Sequence, residues 1–92
     1  MNNQKTPIYL KATTLRGMSD IPTIKNDAKK HMILILRVTP LAQKDIDELR
    51  SAIEDLYKYV QSVGGDIARL GEERVVITPP SVRIWRGVYE LK

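Results

Sequence analysis

Residues 32–38 read MILILRV and residues 44–63 read KDIDELRSAIEDLYKYVQSV, and these two stretches decide the fold. The first is apolar over its first five residues without alternation, the pattern of a central strand covered on both faces rather than of an edge strand. In the second, Ile46, Leu49, Ile53, Leu56, Val60 and Val63 step by 3, 4, 3, 4 and 3 residues, which is the period of an amphipathic helix, roughly 30 Å long at about 1.5 Å per residue. Its polar side carries Asp47, Glu48, Arg50, Glu54, Asp55 and Lys58, with Glu54 preceding Lys58 in the favourable order. Too few heptads follow for a coiled coil, so the apolar stripe reads as core.

Working outward, Gly64-Gly65 stops the helix, because a residue without Cβ enters the left-handed conformation that satisfies terminal carbonyls. Residues 66–70 and 74–78 then read as two strands joined by Gly71-Glu72-Glu73, a hairpin connection. Pro79-Pro80 forces an extended or turning link, and Val82 and Ile84 alternate with Arg83 and Trp85 in a last strand. Toward the amino terminus, Ile8, Leu10 and Ala12 alternate with Tyr9 and Lys11, as in a strand with one buried face. Ser19 or Asp20 can cap a short helix reaching the Lys29 region, with Pro22 in its first turn and Met18, Ile21, Ile24 and Ala28 on its apolar side. Pro40 ends the central strand. Residues 1–6 are polar and read as a flexible end, leaving residues 7–92 as a single domain of order β-α-β-α-β-β-β.

Ninety-two residues, 42% hydrophobic and 28% charged with 5 Gly and 5 Pro, fit one globular domain and exclude disordered or collagenous classes. Zero Cys rules out a disulfide scaffold, a thiolate metal site and a cysteine nucleophile; a reducing cytoplasm is the default expectation. No apolar run approaches the roughly 18 residues of a membrane span, and no leader pattern opens the chain. The net charge of +4 accumulates early, in Lys5, Lys11, Arg16, Lys25, Lys29 and Lys30. A basic stripe would suggest nucleic acid, but these residues are spread over several elements without interleaved aromatics and read as solvated surface.

The pattern predicts an α/β two-layer sandwich, with two helices on one face of a four- or five-stranded mixed sheet. Two helices cover one face only, yet residues 33–36 and 75–77 are apolar on both sides. A domain this small cannot easily leave such residues wet. A second copy of the chain is the simplest cover. About five side chains leaving water at roughly 1.5 to 3 kcal/mol each give on the order of 10 kcal/mol per subunit, enough to oppose association entropy. A symmetric homodimer packed sheet to sheet is therefore expected, with Ile33, Ile35 and Val76 in its interface.

The catalytic inventory is thin. His31 is the one histidine, so neither a two-histidine metal site nor a convincing triad can be built in one chain, and the helix carboxylates have no apolar surroundings to raise a pKa. No metal and no cofactor are expected. The glycines match neither GxGxxG nor GxxxxGK and serve as helix stop and turn. Trp85 between Arg83 and Arg86 can stack a base or clamp an acidic peptide; its plainer reading is a strand tryptophan packed at a subunit edge. Arg69 and Arg74 flank the Gly71 turn and are expected near each other, where they can receive an acidic-apolar peptide by charge-assisted hydrogen bonds, or else pair with Glu72 and Glu73.

From about residue 30 to 86, an apolar strand running into Thr39-Pro40-Leu41, a long helix, Gly64-Gly65-Asp66-Ile67, Val76-Ile77-Thr78-Pro79 and a final strand follow in order. In order and spacing the chain resembles the SepF family of cell-division proteins, above all its archaeal SepF-like branch. The resemblance implies an α/β sandwich homodimer acting as a non-catalytic adaptor. Such a protein binds the carboxy-terminal tail of the tubulin-like protein FtsZ and holds the division ring at the cytoplasmic face of the membrane. By the same resemblance, a basic residue on the strand after the helix stop and an apolar residue on the next strand form the tail pocket. These are Arg69 and Val75 here, with Arg74 added from the residue reading. Bacterial members often carry an aromatic at the second position, so Val75 implies a shallower pocket or a different tail. Members commonly begin with an amphipathic helix lying on the bilayer, whereas residues 1–7 have no apolar face to insert and show no such anchor; peripheral membrane contact is what the resemblance implies. The alternative is a small basic nucleic-acid binder of Alba-like layout, which the missing Gly-Lys-rich entry motif disfavours.

Overall fold

The computed structural model describes residues 7–86, so the flexibility expected of residues 1–6 and the last part of the 7–92 domain lie outside the described residues. Four strands form one mixed sheet: β1 (Leu10–Thr14), β2 (Ile33–Arg37), β3 (Asp66–Leu70) and β4 (Arg74–Thr78), in spatial order β1-β2-β4-β3. β1 runs parallel to β2, whereas β4 pairs antiparallel with both β2 and β3. The central strands β2 and β4 are the two that lack alternation in the sequence.

Strand parity divides the sheet. Leu34, Leu36, Ile67, Val75 and Ile77 are buried beneath the helices α1 (Ile21–Ala28), α2 (Thr39–Lys44) and α3 (Ile46–Ser62). They join Leu49, Ala52, Leu56 and Val60 of α3 in the core. Among the described residues, no helix covers the opposite face. Across its centre stand Ala12, Ile35, Val76 and Ala68, with Leu10 and Ile33 at one end and Arg37 and Arg74 at the other.

The expected apolar face of β1 is corrected here. The strand spans Leu10–Thr14, and parallel pairing sets Leu10 beside Ile33 and Ala12 beside Ile35, so the apolar residues of β1 extend the uncovered face. Lys11 turns toward the helices, where its Nζ donates to Asp27 Oδ2 at 2.7 Å. This contact satisfies a carboxylate that would otherwise be buried alone.

A 3-10 turn, Met18–Asp20, leads into α1, and Met18 is exposed rather than packed. Pro40 does not simply end β2. It sits in the first turn of α2, where an amide proton would lack an intrahelical partner, giving a third helix beyond the two expected. Asp45 separates α2 from α3: its backbone is extended, and its Oδ1 accepts from the amides of Asp47 at 3.1 Å and Glu48 at 3.0 Å, an N-cap. At the other end Gly64 takes φ +81° and Gly65 N–H donates to the Val60 carbonyl at 3.0 Å.

The expected last strand through Val82 and Ile84 is absent. Residues 79–86 are irregular, because a side chain competes for their backbone. Asp66 Oδ2 accepts from Ile84 N–H at 2.9 Å and from Arg86 Nη1 at 3.1 Å, while Arg86 Nη2 donates to the Ile67 carbonyl at 3.1 Å. The Arg86 guanidinium, together with the Ile84 and Ile67 amides, holds the Asp66 carboxyl below its usual range.

Candidate functional site

The antiparallel register of the hairpin sets Arg69 of β3 opposite Val75 of β4, both on the helix side of the sheet. Beside them, between α3 and the β3–β4 pair, an open groove of about 520 Å³ is lined by Val38, Ile46, Leu49, Arg50, Ile53, Glu54, Tyr57, Arg69 and Val75. It continues along the β3 edge past Ile67 and Ala68. Its floor is apolar, with Val38, Leu49 and Val75 buried, while Ile46 and Tyr57 remain about half exposed at 47% and 51%.

Charge is placed on the walls. Arg69 Nη2 donates to the Glu72 carbonyl at 3.0 Å and its Nε to the Gly71 carbonyl at 3.4 Å. These turn carbonyls orient the guanidinium without neutralising it, so donors and full charge remain for a carboxylate. Arg50 pairs with Asp47 at 3.2 Å, and Glu54 with Lys58 at 3.7 Å; both pairs are exposed and weak. The arrangement suits a short extended peptide with apolar side chains and at least one acidic group. It offers no nucleophile with a base beside it, and among the described residues no three His, Cys, Asp or Glu side chains are grouped to hold a metal.

Arg74 is not brought to this groove. It pairs in register with Leu70 and faces the uncovered side of the sheet, where Glu73 lies 3.7 Å away. The expected proximity of Arg69 and Arg74 is therefore replaced by placement on opposite faces. Ile33, Ile35 and Val76 share the uncovered face, with Ile35 directly opposite Val76. Trp85 is 78% exposed, on a segment anchored by Arg83 at the Gly64 carbonyl and by Arg86 at Asp66. His31 is exposed with φ +61°. Of the early basic residues, Lys11 and Lys25 are held in ion pairs with Asp27 and Asp55 and contribute to no basic stripe.

The helical stripe assigns Ile46 and Ile53 to the core and sets Arg50 on the solvated polar side, and it leaves Tyr57 without a role. The available signal was Tyr57 itself, four residues after Ile53 and one position beyond the buried Leu56, which widens the apolar face of α3 toward the β3 edge.

Among the described residues no helix is long and apolar enough to cross a membrane. The sequence profile described as Cell division protein SepF matches residues 11–84. No curated protein matches the chain significantly. Among solved structures, a SepF-like protein from Archaeoglobus fulgidus superposes with a TM-score of 0.80 at 26% identity, over 88% of this chain and 96% of that one. A SepF-like protein from Pyrococcus furiosus gives 0.79 at 24% identity, over 90% and 100%. The matched region runs from Lys11 in β1 to Ile84 and includes every residue that lines the groove. The chain belongs to the SepF family of cell-division proteins, in its archaeal SepF-like branch.

Proposed function

We propose that this chain is a non-catalytic cell-division adaptor that captures the carboxy-terminal tail of FtsZ in the α3–β3 groove and helps organise the division ring at the cytoplasmic face of the membrane. The observation that carries the reading is the pairing of Arg69 with Val75 in one open groove: a cation with unused donors stands over an apolar floor. An acidic group of the tail meets Arg69 while apolar side chains settle against Val75, Ile53 and Tyr57. A second copy packs on the uncovered face through Ile33, Ile35 and Val76. The grooves lie on the helix side, so both stay accessible in such a dimer, and two tails linked through one filament bind with avidity.

The test is titration of an FtsZ tail peptide into the chain and into its Arg69→Glu variant. Losing a charge-assisted hydrogen bond costs about 1.5–3 kcal/mol, so affinity falls roughly ten- to a hundredfold. Unchanged affinity in Arg69→Glu overturns the groove assignment. Failure of the unsubstituted chain to bind the tail or to co-sediment with FtsZ filaments overturns the adaptor reading.

A further inference from the structure

β3 stands at the edge of the sheet, paired with β4 on one side only. In an antiparallel pair the main-chain groups of alternate residues point at the neighbouring strand, and those of the residues between point away from it. Contacts made from the outer side fix this parity. Ile67 N–H donates to Asp66 Oδ1 at 3.0 Å, and the Ile67 carbonyl accepts from Arg86 Nη2 at 3.1 Å. Two positions along, Arg69 turns its own N–H and carbonyl outward in the same way. Just beyond it the Gly71 carbonyl accepts from Arg69 Nε at 3.4 Å. Side chains thus cap the edge before and after Arg69, a common protection of exposed strand edges. Among the described residues no group caps the Arg69 N–H and carbonyl themselves. This open position adjoins the extension of the groove along β3, a cavity of about 200 Å³ that α3 borders with Ile53 and Tyr57.

We infer that the outer edge of β3 receives the bound tail as a short added strand, whose main chain exchanges hydrogen bonds with the Arg69 N–H and carbonyl. The inference rests on the groove assignment above and adds the main-chain contact to it. The apolar wall of Ile53 and Tyr57 limits competition from water and strengthens both bonds. An antiparallel ligand makes the two bonds with one residue, whose side chain then lies on the same face as the Arg69 guanidinium. An acidic residue fits that place, and an apolar residue two positions along the ligand faces α3. The ligand class is thereby narrowed to an extended segment that alternates acidic and apolar residues with a period of two and has no proline at the paired position. Because Asp66 and Arg86 already hold Ile67, the added strand is confined to the single bridge at Arg69. The edge stays open when a second copy packs on the sheet face.

The experiment follows amide hydrogen exchange of the full chain by NMR while an FtsZ tail peptide is titrated in. A parallel ester scan of the peptide replaces one main-chain N–H at a time by oxygen. The Arg69 amide is expected to slow several-fold at saturation, far more than that of Ala68, which already faces Val76 in the ladder. One ester position is expected to weaken binding about two- to tenfold, the effect of one neutral hydrogen bond, and its neighbours on either side less. A peptide that binds, and loses affinity in Arg69→Glu, yet leaves the Arg69 amide exchanging at its free rate or gives a flat ester scan overturns the added strand and leaves the groove assignment standing. A peptide that does not bind at all overturns the groove assignment and the added strand with it.

Discussion

Replacing Gly65 by alanine tests the packing where the end of α3 meets the start of β3. A Cβ at this position would lie 2.4 Å from the Thr78 carbonyl oxygen and 3.2 Å from Val60 Cγ1. Ordinary contact begins near 3.4 Å, so the oxygen is 3.4 − 2.4 = 1.0 Å too close. The obstructing atom is backbone and cannot rotate away. Relief requires β3 to move off β4 where Asp66 pairs with Thr78, or α3 to lift at Val60. Overpacking of this kind costs about 1–3 kcal/mol, and a weakened ladder contact adds about 1 kcal/mol, for a total near 2–4 kcal/mol. At roughly 4–8 °C per kcal/mol for a domain of this size, thermal unfolding followed by circular dichroism should shift down by about 10–30 °C. Gly71→Ala is the control: φ is +71°, but nothing lies within 4 Å of its added Cβ. It carries only the left-handed penalty of about 1–2 kcal/mol. A Gly65→Ala melting temperature within about 3 °C of the unsubstituted chain, or a smaller loss than Gly71→Ala shows, would refute the reasoning.

The remaining expectations concern the clamp and the uncovered face. Because the carboxyl of Asp66 is held below its usual value of 3.8, its stabilising contribution is complete above that value and disappears as pH falls through the lowered one. The gap in urea midpoint between the chain and Asp66→Asn should therefore narrow between pH 6 and pH 3, and a constant gap would contradict it. If a second copy covers the sheet, sedimentation at micromolar concentration gives a dimer, and Val76→Asp, which places a charge opposite Ile35, gives a folded monomer. A monomeric unsubstituted chain removes the sheet-to-sheet dimer.

Local patterns carried the reading of α3 and of the β3–β4 hairpin, because helix period and turn chemistry are written in adjacent residues. The groove was legible only in part. The resemblance points to Arg69 and Val75, whereas Tyr57 and Arg50 line the same groove only through the packing of α3 beside β3. Arg74 shows the limit most directly. Five positions separate it from Arg69, and whether the two meet depends on hairpin register, which sets Arg69 opposite Val75 and sends Arg74 to the other face.

The same distinction holds for the whole chain. From the order of its residues alone follow one α/β domain, an unalternating central strand, a long amphipathic helix stopped by Gly64-Gly65, and the resemblance to SepF proteins. Tertiary structure decided which way β1 faces, since parallel pairing with β2 turns Leu10 and Ala12 outward and Lys11 in toward Asp27. It also decided that residues 82–86 form no strand, since the Asp66 carboxylate and Arg86 take the backbone partners that a ladder would have used. Both outcomes rest on contacts between residues sixteen or more positions apart, and periodicity within a segment holds no information about which distant partner will arrive.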